Sequence, residues 1–223
     1  MRMTIAGMRK ERDMAPEVRE TQHKTRGRPR AFDREAALRC AMEVFWAKGF
    51  DNCSMADLVE AMGINSPSLY AAFGSKEDLY REAVGLYTDA EGGAALRQLQ
   101  AHESVRDGLR AMFRASIELF TGTQNPRGCM IFLGAMSVGA EHAQLRSEMQ
   151  KRRRKVASIV AQRLAQGVEN GELDARTDVQ ALAALCMTLF AGLSIQAQDG
   201  VRRAALFAAI DQFIATLPLR AKR

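Results

Sequence analysis

Residues able to do covalent or metal chemistry are few and scattered in this chain. It has four cysteines, Cys40, Cys53, Cys129 and Cys186, and three histidines. No Cys-x-x-Cys spacing, histidine cluster, Ser-His-Asp arrangement or phosphate-binding loop accompanies them. No metal site, no cofactor and no enzyme activity are therefore expected. Cys129 follows Arg127 by two positions. A nearby guanidinium lowers a thiol pKa, which makes Cys129 a candidate oxidant or electrophile sensor; a small buried hydrophobe is the alternative. What the sequence concentrates instead is contact chemistry. Around the stretch MADLVEAMGINSPSLYAAFGSKEDLY, residues 55–80, stand Ser54, Asn65, Ser66, Ser68, Tyr70 and Lys76. Hydroxyls, an amide, a phenol and an ammonium group at these positions suit hydrogen bonds to phosphate oxygens and base edges.

Those groups need elements to hold them, and the local signals are helical. Asp33 reads as the N-cap of a first helix, with Leu38, Ala41 and Phe45 at helical spacing and Gly49 as its stop. Ser54 caps a second helix with Asp57 in capping-box register, and Met55, Leu58 and Met62 form its apolar stripe. Gly63 ends it. Ser66 is expected to cap a third helix with Pro67 first inside it, and Leu69 and Phe73 facing inward. Ser75 and Asp78 repeat the capping box for a fourth. Two short helices joined by Gly63, Ile64 and Asn65 form a helix-turn-helix pattern, the alternative being an ordinary helical corner. With Leu69 and Phe73 inside, Asn65, Ser66, Ser68, Tyr70 and Ala71 are left on the outer or leading face. Small groups there allow close approach to base edges in a major groove. Tyr70 brings a hydroxyl to a phosphate, helix amides near Ser54 and Ser66 attract anions, and Lys76 adds a point charge.

At these residues the sequence resembles the DNA-binding domain of the tetracycline-repressor (TetR/AcrR-type) family. The resemblance is carried by the Phe45–Gly49 helix end, MADLVEAMGI and SLYAAFGSKEDLY in that order, and spans about 28–90. It implies an all-α fold, with an N-terminal three-helix helix-turn-helix domain and a C-terminal helical ligand-binding and dimerisation domain. It implies DNA contacts from Ser54, Asn65, Ser66, Ser68, Tyr70 and Lys76. Ser54 stands where threonine is commoner and keeps the hydroxyl. Ala71 and Ala72 stand where many members carry bulkier polar groups. The implied partners are double-stranded DNA as a palindromic operator, a second copy of the chain and a small-molecule effector.

Upstream lies a charged, mixed-sign segment ending in KTRGRPR. Gly27-Arg28-Pro29 resembles the core of an AT-hook. Proline keeps such a segment extended, and Arg26, Arg28 and Arg30 seek the negative potential of an A·T-rich minor groove. A solvated basic linker is the alternative. The expected domains are a flexible basic arm over 1–27, a helix-turn-helix domain over 28–80 and a helical regulatory and dimerisation domain over 81–219.

In that last region Met112, Phe113, Ile117 and Phe120 form a helical stripe. Residues 129–139, apolar nearly all round, read as one buried helix. A long amphipathic helix is expected over about 141–170, its basic run at 151–155 being a solvated face rather than a second nucleic-acid patch. Leu182, Leu185, Leu189 and Leu193 recur along the next helix. The last helix carries a small face of Ala204, Ala205, Ala208 and Ala209 and a bulky one of Leu206, Ile210, Phe213 and Leu217. Two apolar faces need two partners. The resemblance implies a four-helix homodimer interface from the last two helices of each copy, and a central helix of a monomer is the alternative. Phe113, Ile117, Phe120, Cys129, Met130, Phe132, Met136, Met187 and Phe190 are candidate ligand-binding residues, as methionines adapt to varied apolar ligands; plain core is the alternative. Arg114, Glu118, Glu141 and His142 are candidate polar anchors.

The net charge of +6 over 223 residues favours a polyanionic partner. No apolar run of ~18 residues is evident, the longest being 129–139, and no apolar signal core opens the chain. A cytoplasmic protein without membrane contact is expected. The leading reading is a DNA-binding transcription regulator, most readily a repressor released by a small apolar or reactive effector. An architectural DNA-binding protein without effector, or a redox sensor acting through Cys129, are the alternatives.

Overall fold

A computed structural model describes residues 33–134 and 138–220. Arg26, Arg28, Arg30 and Met136 lie outside the described residues. The helices run in the order α1 (Arg34–Asn52), α2 (Met55–Met62), α3 (Ser66–Phe73), α4 (Lys76–Asp89), α5 (Ala94–Ala101), α6 (Val105–Phe120), α7 (Met130–Leu133), α8 (Ala143–Glu169), α9 (Val179–Gln198) and α10 (Arg203–Ala215). There is no strand among the described residues, only an isolated bridge from Leu173 to Leu219. The expected all-α class is what the chain adopts.

The short helices at the front are fixed by their ends. An eight-residue helix is marginal on its own, so caps and one buried face must hold it. Asp33 accepts from the amides of Glu35 and Ala36 at the start of α1. Gly49, at φ 75 and ψ 175, breaks α1 and turns Phe50 into the core. Both expected capping boxes form, at Ser54 with Asp57 and at Ser75 with Asp78. Phe45, Phe50, Leu58, Leu69 and Phe73 then meet beneath them, all buried.

Three expectations need correction. The cap of α3 is Asn65, not Ser66: its Oδ1 accepts from Ser68 N at 2.9 Å, and Pro67 occupies the second position. The three-residue reach of a capping side chain decides this, because Asn65 is the residue in extended backbone. The apolar stretch 129–139 does not continue as one helix. α7 ends at Leu133, and the carbonyl of Gly134 just beyond it accepts from Phe50 N at 3.0 Å. The long helix expected over about 141–170 does form, as α8 after a 3₁₀ turn over Ala140–His142, with Leu145, Met149, Val160 and Leu164 buried and Val156 half-buried. Finally, the longest apolar helix is α9, which is long and apolar enough by length and composition to cross a membrane. Its buried Ser194 and exposed Leu185 show it packed on one side against the other helices. The short α5 has no counterpart among the expected elements; its two buried residues, Ala95 and Leu99, make too brief a stripe to register as a period.

Candidate nucleic-acid interface

α2 and α3 are held as one rigid unit. Gly63 sits at φ 64, ψ 30, a left-handed position that glycine takes without strain, and Ile64 N closes the turn on Val59 O at 3.3 Å. Two braces were not foreseeable from spacing. Nζ of Lys48 lies 2.8 Å from Oδ1 of Asp57 and ties the end of α1 to the start of α2. The Arg34 guanidinium covers the Phe73 ring at 4.4 Å, donates to the carbonyl of Ala72 and pairs with Glu82 at 2.7 Å. That fixes the far end of α3. No local pattern marks Arg34, because its partners stand 38 and 48 positions away.

On this unit most of the sequence-predicted residues are exposed. Asn65, Ser66, Tyr70 and Ala71 are exposed, Ser68 and Lys76 are half-buried, and Tyr70 is 51% exposed, the most open large apolar side chain named on this surface. Ser54 accepts from Asp57 N at 3.1 Å through Oγ. An accepting hydroxyl keeps its own hydrogen to donate, so capping and phosphate contact are compatible. The Asp57 carboxylate is held down to about 2, first by the Lys48 ammonium and then by the amide and hydroxyl of Ser54. Its charge is therefore permanent, but Lys48 neutralises it. Lys76 projects from the first turn of α4 with its ammonium 4.4 Å from the centre of the Phe50 ring, which gives the cation a fixed seat at the end of α1. Cys53, buried under this surface, has its thiol pushed up to about 11 by burial. It is packing, not a reactive group.

The expected ligand residues lie in the second half of the chain. Phe113, Ile117, Phe120, Cys129, Met130 and Phe190 are buried, and Phe132 and Met187 are half-buried. Phe120 and Phe132 both meet the ring of Phe190, at 5.3 and 5.1 Å, while Phe113 turns to Phe213 at 5.7 Å. The buried ones belong to the hydrophobic core, and Phe132 and Met187 pack against it. Of the polar anchors, Arg114 stacks on Phe207 at 4.2 Å, Glu118 and Glu141 are exposed, and Nδ1 of His142 lies 2.6 Å from Oε1 of Glu77. Arg127 does not approach Cys129 as the spacing suggested. It donates to Ala197 O at 3.2 Å, and burial raises the Cys129 thiol rather than lowering it. The basic run is solvated at Lys151, Arg154 and Lys155. Arg152 and Arg153 are half-buried, and Arg153 donates to Ile131 O.

The front helices are fastened to the second half by bonds of long sequence separation. Trp46 Nε1 donates to Gly128 O at 2.9 Å, Phe50 N to Gly134 O at 3.0 Å, and Gly139 N to Asp51 at 3.0 Å. Arg81 of α4 reaches Glu148 of α8 at 2.8 Å, and Cys129 N donates to Ser194 of α9 at 2.7 Å. Residues 128–134 thus link the front helices to α9.

This arrangement defines a helix-turn-helix protein whose capped reading helix stands on a larger helical body. Residues 37–83 match the family of bacterial regulatory proteins of tetR type, and residues 106–213 match a tetracyclin repressor-like C-terminal domain. The chain is similar to the transcriptional repressor ComR of Escherichia coli, 35% identical over 188 residues that cover 84% of this chain and 90% of ComR. It is also similar to the regulator YezE of Bacillus subtilis, at 28% over 158 residues, covering 70% and 81%. Among solved structures it resembles the TetR family regulator CifR, a cysteine-substituted form complexed with a 26-base-pair operator duplex. That likeness has 40% identity and a TM-score of 0.82, covering 86% of this chain and all of CifR. The chain belongs to the tetR family of transcriptional regulators.

Proposed function

We propose that this protein is a transcriptional repressor that binds a palindromic operator as a homodimer in the cytoplasm and is released by a small-molecule effector. The observation that carries this reading is α3. It is capped at Asn65, braced at Ala72 by Arg34, and presents Asn65, Ser66, Tyr70 and Ala71 outward, with Ser68 beside them. CifR, 40% identical, was solved on operator DNA. Backbone contacts fall to Ser54, Tyr70 and Lys76, and base edges to the leading face of α3. The arginines 26, 28 and 30 serve a flanking minor groove.

Dimerisation uses α9 and α10. Leu185 and Ile195 are 46% and 43% exposed, and Ala204, Ala205, Ala208 and Ala209 are exposed on α10. Two faces of this kind against their symmetry mates make a four-helix interface, and a two-fold axis places two reading helices on a palindrome. The effector enters the apolar interior of the second half, near Phe120, Met130 and Phe190. It acts by favouring a spacing of the heads that misfits the operator, which requires tighter binding to that state. The test is selection of duplexes retained by the purified protein, followed by titration of the recovered site. Expected is one inverted repeat bound by two chains. Equal retention of all duplexes supports an architectural protein instead.

A further inference from the structure

Arg163 is a cation set deep in α8, with 9% of its surface exposed. One amine of its guanidinium donates to the carbonyls of His102 and Glu103, in the turn between α5 and α6. Its Nε and Nη1 make no hydrogen bond, and it has no ion-pair partner, among the described residues. Glu172 feels its charge, but that carboxylate is already taken up by Ser104 and by the amides of Val105 and Arg106. A guanidinium stays ionised at any ordinary pH. Buried without a counter-charge it destabilises the fold, and an anion brought to it offsets that loss.

The same side chain forms part of the wall of a cleft of about 380 Å³, large enough for a small molecule. Gln100, His102 and Glu103 line it from α5 and the turn, and Gln162, Gln166 and Ile159 from α8. Glu103 is the one carboxylate in this wall, and its side chain has no ion pair among the described residues. The three glutamine amides each offer donors and an acceptor, and Ile159 is the single apolar side chain. The wall thus carries one cation, one anion and neutral hydrogen-bonding groups, with His102 as its other titratable side chain. A carboxylate alone would satisfy Arg163 but meet Glu103, and an ammonium alone would do the reverse. A guest that carries both charges answers both.

We propose that this cleft binds a zwitterionic α-amino acid with a polar side chain: carboxylate to Arg163, ammonium to Glu103, side chain among the glutamine amides. None of the apolar residues offered above for the effector lines it. It lies about 22 Å along α8 from Glu148, the residue that meets α4, so its occupancy needs no contact with the front helices. What a bound guest does is join the α5–α6 turn to α8 and stabilise the folded chain by mass action.

The probe is L-glutamine, set against two analogues that each lack one charge: glutaramate, without the ammonium, and 4-aminobutanamide, without the carboxylate. Each is titrated by isothermal calorimetry into the full chain, as wild type and as Glu103→Gln. The Glu103 side chain is exposed, so this variant keeps the fold. Wild type should bind L-glutamine saturably and each analogue about 10-fold more weakly or worse, since each loses a hydrogen bond to a charged group. In Glu103→Gln, L-glutamine should fall to the level of glutaramate. Arg163→Gln, checked by thermal melting because it also gives up two carbonyl contacts, should lose glutaramate when folded; if it does not fold, Glu103→Gln decides. No saturation of wild type by L-glutamine, equal binding of either analogue, or a preference for L-glutamine over glutaramate that survives Glu103→Gln overturns the proposal. So does glutaramate binding that persists in a folded Arg163→Gln.

Discussion

Replacing Lys76 by alanine tests the proposed DNA contact most directly. Its ammonium lies 4.4 Å from the centre of the Phe50 ring, so the charge has a defined place rather than a diffuse one. Each phosphate neutralised contributes about 0.9 to the slope of log affinity against log salt, and a dimer carries two copies of Lys76. Lys76→Ala should therefore make the slope shallower by about 1.8. Between 50 and 200 mM salt that is a change of about 12-fold in the ratio of wild-type to variant affinity. Fluorescence anisotropy with the recovered operator duplex at four or more salt concentrations measures it. Lys76→Arg should keep the slope. Loss of the ring contact should cost about 0.5–1 kcal/mol, lowering Tm by about 1–4 °C, too little to unfold the head. Lys155→Ala, exposed on α8, serves as control. An unchanged slope for Lys76→Ala, or an equal change for Lys155→Ala, would refute the contact: the first leaves Lys76 with only its packing role, and the second reduces the effect to net charge.

Other surfaces give independent tests. Leu185→Glu with Ile195→Glu should yield a folded monomer by analytical ultracentrifugation and lower operator affinity by at least about 100-fold, since a lone head loses its two-fold partner. Gly63→Ala should cost about 1–2 kcal/mol in chemical denaturation through the left-handed backbone alone, because a Cβ there meets no neighbour. Glu172 accepts from Ser104 and from the amides of Val105 and Arg106 at the start of α6. Burial by itself would raise this carboxyl, but those three donors outweigh it and hold it below its usual range. Its folded pKa is the lower one, so its stabilisation is fully present above the unfolded value near 4.5 and fades as pH falls through the folded value. Glu172→Gln should thus lose about 2 kcal/mol at pH 7, with the gap to wild type closing in acid. Deleting residues 1–30 should weaken binding mainly to operators with A·T-rich flanks, and equal loss on G·C-rich flanks would remove the minor-groove role of Arg26, Arg28 and Arg30.

The sequence by itself determined the reading head. Ser54 with Asp57, Gly63, and Ser75 with Asp78 are signals completed within three or four residues, and each does in space what its spacing says. Even the misplaced cap of α3 moved by a single residue, from Ser66 to Asn65. The outward set of Asn65, Ser66, Tyr70 and Ala71 followed once Leu69 and Phe73 were placed inside, since a helix has only one period. The braces and the junction were decided by the tertiary structure alone. Arg34 meets Ala72, Trp46 meets Gly128, and Phe50 N meets the carbonyl of Gly134. The direction of the Cys129 pKa was decided the same way: proximity in sequence to Arg127 pointed down, and burial pushed it up against the lowering pull of the Tyr87 hydroxyl. Local hydrogen bonds and periodicity are written into neighbouring residues. Which carbonyl a distant indole finds depends on packing of segments tens of residues apart, and no spacing encodes that.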